Sequence, residues 1–380
     1  MQVPKLPHDF GFGEDHEVLR DSAQRFLAER CPLDEVRRLA DDPLGYDPGL
    51  WKEIAGLGWT GLMVAEEHGG AGLGALHLAL LLEEMGRCLL PAPYLSSVLA
   101  AIALEQAGNE EQKRRLCAAI ASGDTLATLA LTEPQGSWEP EDVAATAEPI
   151  DGGFVLRGRK THVQAGEIAG LILAPFRETS GEIALFAVEL PTTGVTREQE
   201  IGVDGTRRTA RVHFEGVRVG SEARLPGEGL PALCTTHVHG DAALAAEMVG
   251  AAESTLRLTR DYAIDRKQFN RQIGSFQGVK HPIVDMMVDV EISRTHALAA
   301  AAALDCGSEA APTHARMAKA VVSDAFASAV GRAVQIHGGY GFTWDCDVHL
   351  YFKRALWSRA TLGDAIHHRR HLAGELFSSD

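Results

Sequence analysis

The spacing of hydrophobic positions changes twice along the chain, and these changes divide it into three parts. From Glu14 to about Gly123 apolar residues recur every three or four positions, which predicts amphipathic helices. The clearest stripes are Val18, Leu19, Ala23, Phe26 and Leu27, then Leu78, Leu81, Leu82 and Met85. From about Thr125 short β-type runs, several of them alternating, are separated by Gly, Pro and Asp and predict a small antiparallel sheet. Helical spacing returns after Pro226 and persists.

The order helix, sheet, helix predicts an α+β fold with three domains. We expect an α-helical N-domain at residues 1–124, a middle antiparallel β-domain at 125–225 and a C-terminal helical bundle at 226–380. The most apolar segment, Leu89 to Leu104, contains two prolines and two serines and falls short of the roughly 18–20 uninterrupted apolar residues that a membrane span needs. We therefore expect a buried helix there and no membrane span.

Composition narrows the function classes. A formal net charge of −16 argues against nucleic acid or an anionic membrane as the main partner, because both select basic surfaces. The six cysteines are dispersed and form no Cys-x-x-Cys pair, which fits thiols in a reducing compartment better than a disulfide framework. No signal peptide is visible at the N-terminus, so the expected location is cytoplasmic.

Two C-terminal segments carry side chains that suit a phosphorylated aromatic ligand. The first runs from Tyr262 to Gln277 and contains Arg266, Gln268 and Phe269. A guanidinium and an amide suit a diphosphate, and a phenyl ring offers a flat face to a fused aromatic ring. The second, Gln335-Ile-His-Gly-Gly-Tyr-Gly-Phe342, adds an amide and three glycines, which let the backbone approach a ligand closely.

In this order and spacing the two segments resemble the FAD-binding motifs of the acyl-CoA dehydrogenase family. The resemblance spans essentially the whole chain and implies the family architecture, with a C-terminal four-helix bundle. A third motif, Leu131-Thr-Glu-Pro-Gln-Gly-Ser137, matches the family's loop at the flavin and pyrophosphate. In the family the second segment serves the FAD of a neighbouring subunit, which implies an oligomer. The FAD contacts implied by these motifs are Leu131, Thr132, Gly136, Ser137, Arg266, Gln268, Phe269, Gln277, Gln335, Gly338 and Gly339.

The strand that covers the flavin in the family is altered here. Gly158-Arg-Lys-Thr-His-Val-Gln-Ala-Gly166 keeps the family's Gly and Lys, but His162 stands where a Trp is expected and Gln164 where a Thr is expected. Imidazole can still stack on a flavin or donate to it, and an amide can still reach a flavin carbonyl or N5. The resemblance therefore implies flavin contacts for both residues.

The catalytic base departs further from the family pattern. In most relatives it is a Glu 27 residues after the motif Gln and followed by Gly; counting from Gln335 reaches Leu362, followed by Gly363. In a minority it lies on an earlier helix, ten residues before its Gly and 26 before the motif Arg, and both counts reach Gly240. Asp241 is the first candidate for a replacement base, with His239 and Asp364 behind it.

The pair His237-x-His239 invites a metal interpretation. No third ligand stands at a fitting spacing, so we expect solvated or capping histidines and no metal site.

The resemblance implies an FAD-dependent acyl-CoA dehydrogenase. Such an enzyme oxidises an acyl-CoA to the 2-enoyl-CoA and passes the electrons to an external acceptor such as an electron-transfer flavoprotein. The missing Glu keeps an alternative open: a catalytically silent, FAD-holding subunit of an α₂β₂ acyl-CoA dehydrogenase for bulky or steroid side-chain substrates. Retention of the flavin for other chemistry, such as oxidation by O₂, is a third hypothesis.

Overall fold

The computed structural model describes residues 10–377, which form two compact units. The bundle unit comprises residues 10–38, 75–90 and 241–377, and the sheet unit comprises residues 39–74 and 91–240. The α-helices are α1 Glu14–Arg30, α2 Leu33–Asp41, α3 Pro48–Gly56, α4 Ala75–Arg87, α5 Tyr94–Ala107, α6 Glu110–Gln112, α7 Ala118–Ala121, α8 Gly229–Asp265, α9 Gln277–Asp305, α10 Ala311–His337, α11 Val348–Ala360 and α12 Ala365–Phe377. Of these, α6 and α7 are short.

The sheet unit is built on seven strands. They are β1 Ala127–Leu129, β2 Thr146–Ile150, β3 Gly153–Gln164, β4 Leu171–Glu178, β5 Ile183–Glu189, β6 Val195–Glu200 and β7 Thr209–Gly220. Most neighbours are antiparallel, as the alternation predicts: β2–β3, β3–β7, β6–β7 and β4–β5. β1 and β2 instead pair in parallel with different parts of β4, which the local pattern does not reveal.

Aromatic side chains fill the core of the sheet unit. Phe176, Phe186 and Phe214 are almost fully buried and meet edge to face, with ring centroids 5.6 and 5.1 Å from the Phe176 ring. The offset quadrupoles of such rings favour this T-shaped arrangement over face-to-face stacking. The core holds β3, β4, β5 and β7 together and thereby fixes the strand that carries His162 and Gln164.

A close helix crossing organises the bundle unit. At Gly250 of α8 an added Cβ would overlap the carbonyl oxygen of Glu83 in α4, and at Gly86 of α4 it would overlap the carbonyl of Glu247 in α8. The two backbones approach this closely because both contact positions lack a side chain. A buried ion pair lies beside the crossing, where Arg354 Nη1 donates to Glu247 Oε1 at 2.5 Å.

The predicted stripes largely become core. Leu78, Leu81, Leu82 and Met85 are buried in α4, whereas Val18 of α1 is 62% exposed and does not belong to the core. A proline suits the first turn of a helix, but α9 begins at Gln277 and Pro282 lies inside it. The expected helix within Leu89–Leu104 is present as α5.

The expected fold class is confirmed: helices, then a β-domain, then a helical bundle. The compact units group residues 39–74 and 91–124 with the sheet, so the predicted boundaries at 124/125 and 225/226 stay a prediction. Among the described residues, no helix combines the length and apolarity needed to cross a membrane.

The helix crossing generates a stability prediction. We expect Gly250→Ala to lower the free energy of unfolding by about 1–3 kcal/mol, because the new methyl group forces α4 and α8 apart. Gly331→Ala in α10 is the matched control, since its Cβ would meet no atom within 4 Å. The control should be stabilised by about 0.5–1 kcal/mol, since alanine favours the helix. Urea unfolding of both variants measures the difference, and equal effects at the two positions would contradict the close crossing.

Candidate active site

A tight hairpin presents the first FAD motif. After α8 ends at Asp265, the two-residue strands Lys267–Gln268 and Arg271–Gln272 pair antiparallel. The turn residues between them, Phe269 and Asn270, have φ of 53° and 62°, the left-handed values that a type I′ turn requires. Left-handed backbone is unusual for a bulky residue, and Phe269 is also 87% exposed. The hairpin thus holds an aromatic ring in solvent at a conformational cost.

An open groove in the bundle unit joins the two C-terminal motifs. Its volume, counted out into open solvent, is about 1440 Å³. Its lining includes Arg266, Gln268, Phe269, Gly338 and Gly339, which the sequence predicted as cofactor contacts. Gln277 and Gln335 are exposed but are not among the groove-lining residues. The remaining lining residues are Tyr262, Ile273, Phe276, Val279, Ile336, His337 and Tyr340.

The sequence analysis missed an aromatic stack along this groove. The rings of Tyr262 and His337 are stacked with centroids 4.3 Å apart, and Tyr340 lies 6.1 Å from Tyr262 in a nearly parallel plane. Burial lowers the pKa of His337, which therefore favours the neutral imidazole. Tyr262 and His337 are 75 residues apart in the chain, so their stacking depends on the tertiary fold and no local sequence pattern predicts it.

The groove residues fit a ligand that has phosphates and aromatic rings. The guanidinium of Arg266 has no partner among the described residues, and the amide of Gln268 donates only to the Lys267 carbonyl. Gly338 has φ 61° and ψ −140°, a conformation that essentially only glycine adopts, and no atom lies where its Cβ would be. An available cation, an available amide, bare backbone and an exposed ring match the donor set expected for FAD.

In the sheet unit a buried ion pair holds the third motif. Glu133 accepts hydrogen bonds from the backbone of Ala144 and Ala145, and Lys160 Nζ donates to it at 2.7 Å. Burial lowers the pKa of Lys160 to about 8, with Glu133 opposing the shift. Burial alone would raise the pKa of Glu133, but the Lys160 ammonium and the backbone donors hold it below its usual value. The pair ties the loop after β1 to strand β3.

The predicted contacts on this loop differ in availability. Thr132 receives a backbone hydrogen bond from Thr161, and its hydroxyl has no partner among the described residues. Gly136 forms a turn at φ 72°, and the Ser137 hydroxyl donates to Asp142 at 2.6 Å. Leu131 is half-buried. The Thr132 hydroxyl is therefore available to a ligand, whereas the Ser137 side chain already has a partner.

Strand β3 presents His162 on a bulge. The β3–β7 register shifts between Lys160 and Val163, and His162 itself has φ 54°. Its backbone N–H donates to Glu200 Oε2 at 2.9 Å, while its ring is exposed and has Nδ1 3.1 Å from the same carboxylate. Gln164, two residues on, is half-buried and lines a smaller cavity of about 420 Å³. Both residues are accessible to a ligand from the sheet unit.

Neither expected base position carries a carboxylate, and Asp241 lies next to Gly240 on α8. Leu362, in the family's main position, has φ 61° and cannot accept a proton. Asp364 is the N-cap of α12, where its Oδ1 accepts from the backbone N–H groups of Ile366 and His367. His239 bonds through Nδ1 to the Thr235 carbonyl at 2.9 Å. Asp241 is 6% exposed, and its Oδ1 has no hydrogen-bond partner among the described residues.

The environment of Asp241 brings the pKa of its carboxyl group close to neutral pH. Burial raises the pKa of its carboxyl group to about 7, against the opposing charges of Lys319 and Arg316. A carboxyl group that titrates near the working pH is suited to general-base catalysis, and such perturbed groups concentrate at functional sites. His237 and His239 lie in the part of α8 that belongs to the sheet unit. That these two histidines bind no metal stays a prediction.

Three family models together cover nearly the whole chain. They are the N-terminal domain of acyl-CoA dehydrogenase at residues 13–124, its middle domain at 128–217 and its C-terminal domain at 227–377.

Individual relatives agree with the family models. The chain is 32% identical to acyl-CoA dehydrogenase IpdE2 of Mycobacterium tuberculosis over 367 residues, which is 96% of this chain and 98% of the relative. The ChsE4-ChsE5 complex of Mycobacterium tuberculosis contains a chain that matches with TM-score 0.90 and 28% identity, over 98% of this chain and 100% of that one. The FAD complex of PigA matches with TM-score 0.90 and 25% identity, over 97% and 99%. This chain belongs to the acyl-CoA dehydrogenase family, the FAD-binding oxidoreductases that act on CH–CH groups.

Proposed function

We propose that this acyl-CoA dehydrogenase removes the α-proton of its substrate with Asp241 in place of the family glutamate. The observation that carries the proposal is a buried carboxylate on α8 whose Oδ1 has no hydrogen-bond partner among the described residues. It stands next in sequence to Gly240, where a minority of relatives place their base. Since burial raises the pKa of Asp241 to about 7, its ionised form is a stronger base than an exposed aspartate.

The chemistry divides between the cofactor and the chain. FAD, when bound, supplies the acceptor for the hydride that leaves the β-carbon. The Asp241 carboxylate accepts the α-proton, which the thioester carbonyl makes acidic, and becomes a neutral carboxylic acid. A neutral acid in a buried position costs less than a charged one, so burial favours the protonated product state of this residue.

We assign the cofactor contacts to the accessible residues of each unit. In the bundle unit Arg266 offers its free guanidinium to the diphosphate, Phe269 offers its ring, and Gly338 offers backbone. In the sheet unit the Thr132 hydroxyl and the His162 ring are available to the flavin portion. The backbone strain at Phe269 and His162 supports both assignments, since left-handed non-glycine residues cluster at ligand sites.

An exposed apolar face supports assembly with a second chain. Val284, Met287, Val288 and Ile292 of α9 recur at helical spacing and are each about half exposed. A contiguous apolar stripe of this kind marks protein contact surfaces. We propose that α9 packs against another copy of this chain or against a related subunit. An electron-transfer flavoprotein is the proposed acceptor of the electrons.

The second candidate function is a silent, FAD-holding subunit of a heteromeric dehydrogenase for bulky acyl-CoAs. The observation that favours it is Leu362, an aliphatic side chain held at φ 61° where most relatives place the base. The similar ChsE4-ChsE5 structure is itself a complex of two proteins. Co-expression with a related chain, followed by size analysis and a flavin spectrum, separates this function from an independent enzyme.

A first prediction tests the cofactor groove. Arg266→Ala should weaken FAD binding by about 1.5–3 kcal/mol, because charge-assisted hydrogen bonds to the diphosphate are lost. Titration of the apoprotein with FAD, followed by flavin fluorescence, measures the dissociation constant. Arg271→Ala is the matched control, since Arg271 lies on the same hairpin, its guanidinium is 3.9 Å from the centre of the Phe276 ring, and it is not among the groove-lining residues. Equal losses in both variants would remove Arg266 from the site.

A second prediction concerns the flavin environment. His162→Ala should shift the visible absorption maximum or the fluorescence of the bound flavin while the fold stays intact, because an imidazole next to the ring system is removed. Arg211→Ala is the control: Arg211 Nε binds the other oxygen of Glu200, at 3.1 Å, so the same carboxylate loses a partner without a change in β3. An unchanged spectrum and unchanged FAD affinity in His162→Ala would place the residue outside the flavin site.

A third prediction tests the base. Asp241→Asn should slow anaerobic flavin bleaching by acyl-CoA by about 10²–10⁴-fold, the usual contribution of a positioned general base. Because the ionised form is required, the wild-type bleaching rate should rise with pH through about 7. The substrate panel includes short, long and sterol-derived acyl-CoAs.

Asp364→Asn is the discriminating companion, since asparagine keeps the N-cap of α12 and removes only the charge. We expect it to bleach at the wild-type rate. Rapid bleaching by Asp241→Asn would rule out the proposed base, and absence of bleaching in the wild type with every substrate would favour the silent subunit.

A further inference from the structure

Three helices of the bundle unit bring titratable groups together in its interior. Asp241 comes from α8, Lys319 from α10 and His368 from α12. His368 Nε2 lies 3.7 Å from Asp241 Oδ1, and Lys319 interacts electrostatically with both groups. His368 is only 2% exposed and Lys319 is fully buried. The three side chains are therefore largely shielded from bulk water.

The polar atoms that face each other in this cluster are unsatisfied. Asp241 Oδ1 has no hydrogen-bond partner among the described residues, and neither ring nitrogen of His368 makes a hydrogen bond of good geometry there, although the Gly363 backbone lies close enough to interact with the ring. Buried polar groups are almost always paired, because an unpaired one loses its hydration without compensation. Two such groups side by side indicate a polar pair that serves a purpose other than stability.

A turn between α11 and α12 holds the cluster in place. Lys319 Nζ donates to the carbonyl oxygens of Ser358 at 3.1 Å and Gly363 at 2.8 Å, and to the Ser323 hydroxyl at 3.3 Å. Gly363 has φ 102°, and a Cβ on it would lie 2.9 Å from His368 Nε2. The glycine thus makes room for the imidazole, and the lysine fixes the turn that carries it.

We propose that His368 and Lys319 are positioning residues for the Asp241 base, His368 by donating its Nε2–H to the carboxylate and Lys319 by fixing the turn beside it. The inference rests on the proposed function of Asp241. The hydrogen bond requires the two side chains to approach more closely than their 3.7 Å separation in this structure. His368 then restricts the carboxylate to one orientation, as an orienting group does for a catalytic base elsewhere.

The charges around the cluster determine how it titrates. Lys319 and Arg316 face Asp241 from α10, while Asp364 faces Lys319 and His367 adjoins His368 on the α12 side. Burial and the Lys319 charge lower the pKa of His368 to about 3, so the ring is neutral at working pH and donates as an uncharged N–H. The removal of that donor, or of the Lys319 charge, destabilises the carboxylate form and raises the pKa of Asp241.

The first experiment needs no catalysis. Thermal unfolding of the FAD-loaded wild type, Asp241→Asn, His368→Phe and the double variant forms a double-mutant cycle. We expect the melting temperatures to be non-additive, because the two side chains interact directly. Asp241→Asn combined with His371→Gln, a histidine three residues further along α12, should be additive. Additive shifts for Asp241 with His368 would overturn the proposal whatever the activity.

The second experiment follows anaerobic flavin bleaching against pH. His368→Phe should lower the plateau rate by about 10²-fold, the cost of a misplaced catalytic group, and shift the profile to higher pH. His368→Gln, which keeps an N–H donor, should recover most of the rate, and Lys319→Met should also shift the profile upward. If Asp241→Asn abolishes bleaching but His368→Phe keeps the wild-type profile, the positioning role is wrong and the base stands. If Asp241→Asn bleaches normally, the base itself is wrong and the inference fails with it.

Discussion

The candidate site depends on two buried ammonium groups, each of which must find acceptors inside the protein. Lys160 lies in the sheet unit and Lys319 in the bundle unit, and burial lowers the pKa of each to about 8. A buried charge without partners costs several kcal/mol, so each lysine draws a particular loop towards it. Lys160 holds the Glu133 loop against β3, and Lys319 holds the turn at Gly363 against α10. Both loops carry residues matched to the family's cofactor or base positions.

Backbone strain marks the same places. Left-handed conformations occur at His162 on the altered flavin strand, at Phe269 on the hairpin and at Leu362 in the family's base position. Each non-glycine residue in such a region costs about 1–3 kcal/mol, and the surrounding structure must over-determine it to keep it there. At Phe269 the hairpin pairing does so, and at Leu362 the bonds from Lys319 to the Ser358 and Gly363 carbonyls do so. At Leu362, strain and buried charge are thus two parts of one local arrangement.

Much of this could be predicted from the sequence, and the rest has a physical reason for being hidden. Apolar runs identify α4 and α5, because both helices are buried almost throughout and their high apolar content is a local property of the sequence; the fold class follows from the order of patterns. The parallel pairing of β1 with β4 joins strands more than 40 residues apart, and nothing in either strand specifies a partner. The stack of Tyr262 on His337 is equally non-local.

From the sequence alone, the absence of glutamate at both family positions suggests that the catalytic base is lost, but the structure favours another interpretation. In the bundle unit Asp241 on α8 and the turn at Gly363 before α12 meet around Lys319, since the lysine bonds to Gly363 and the carboxylate feels its charge. Positions about 120 residues apart in the chain therefore lie near the same lysine. A carboxylate introduced from either element would lie near the same cation. Movement of a base from the turn to the helix keeps it near Lys319, and burial on α8 raises the pKa of Asp241 to about 7, which is why we favour a relocated base over a lost one.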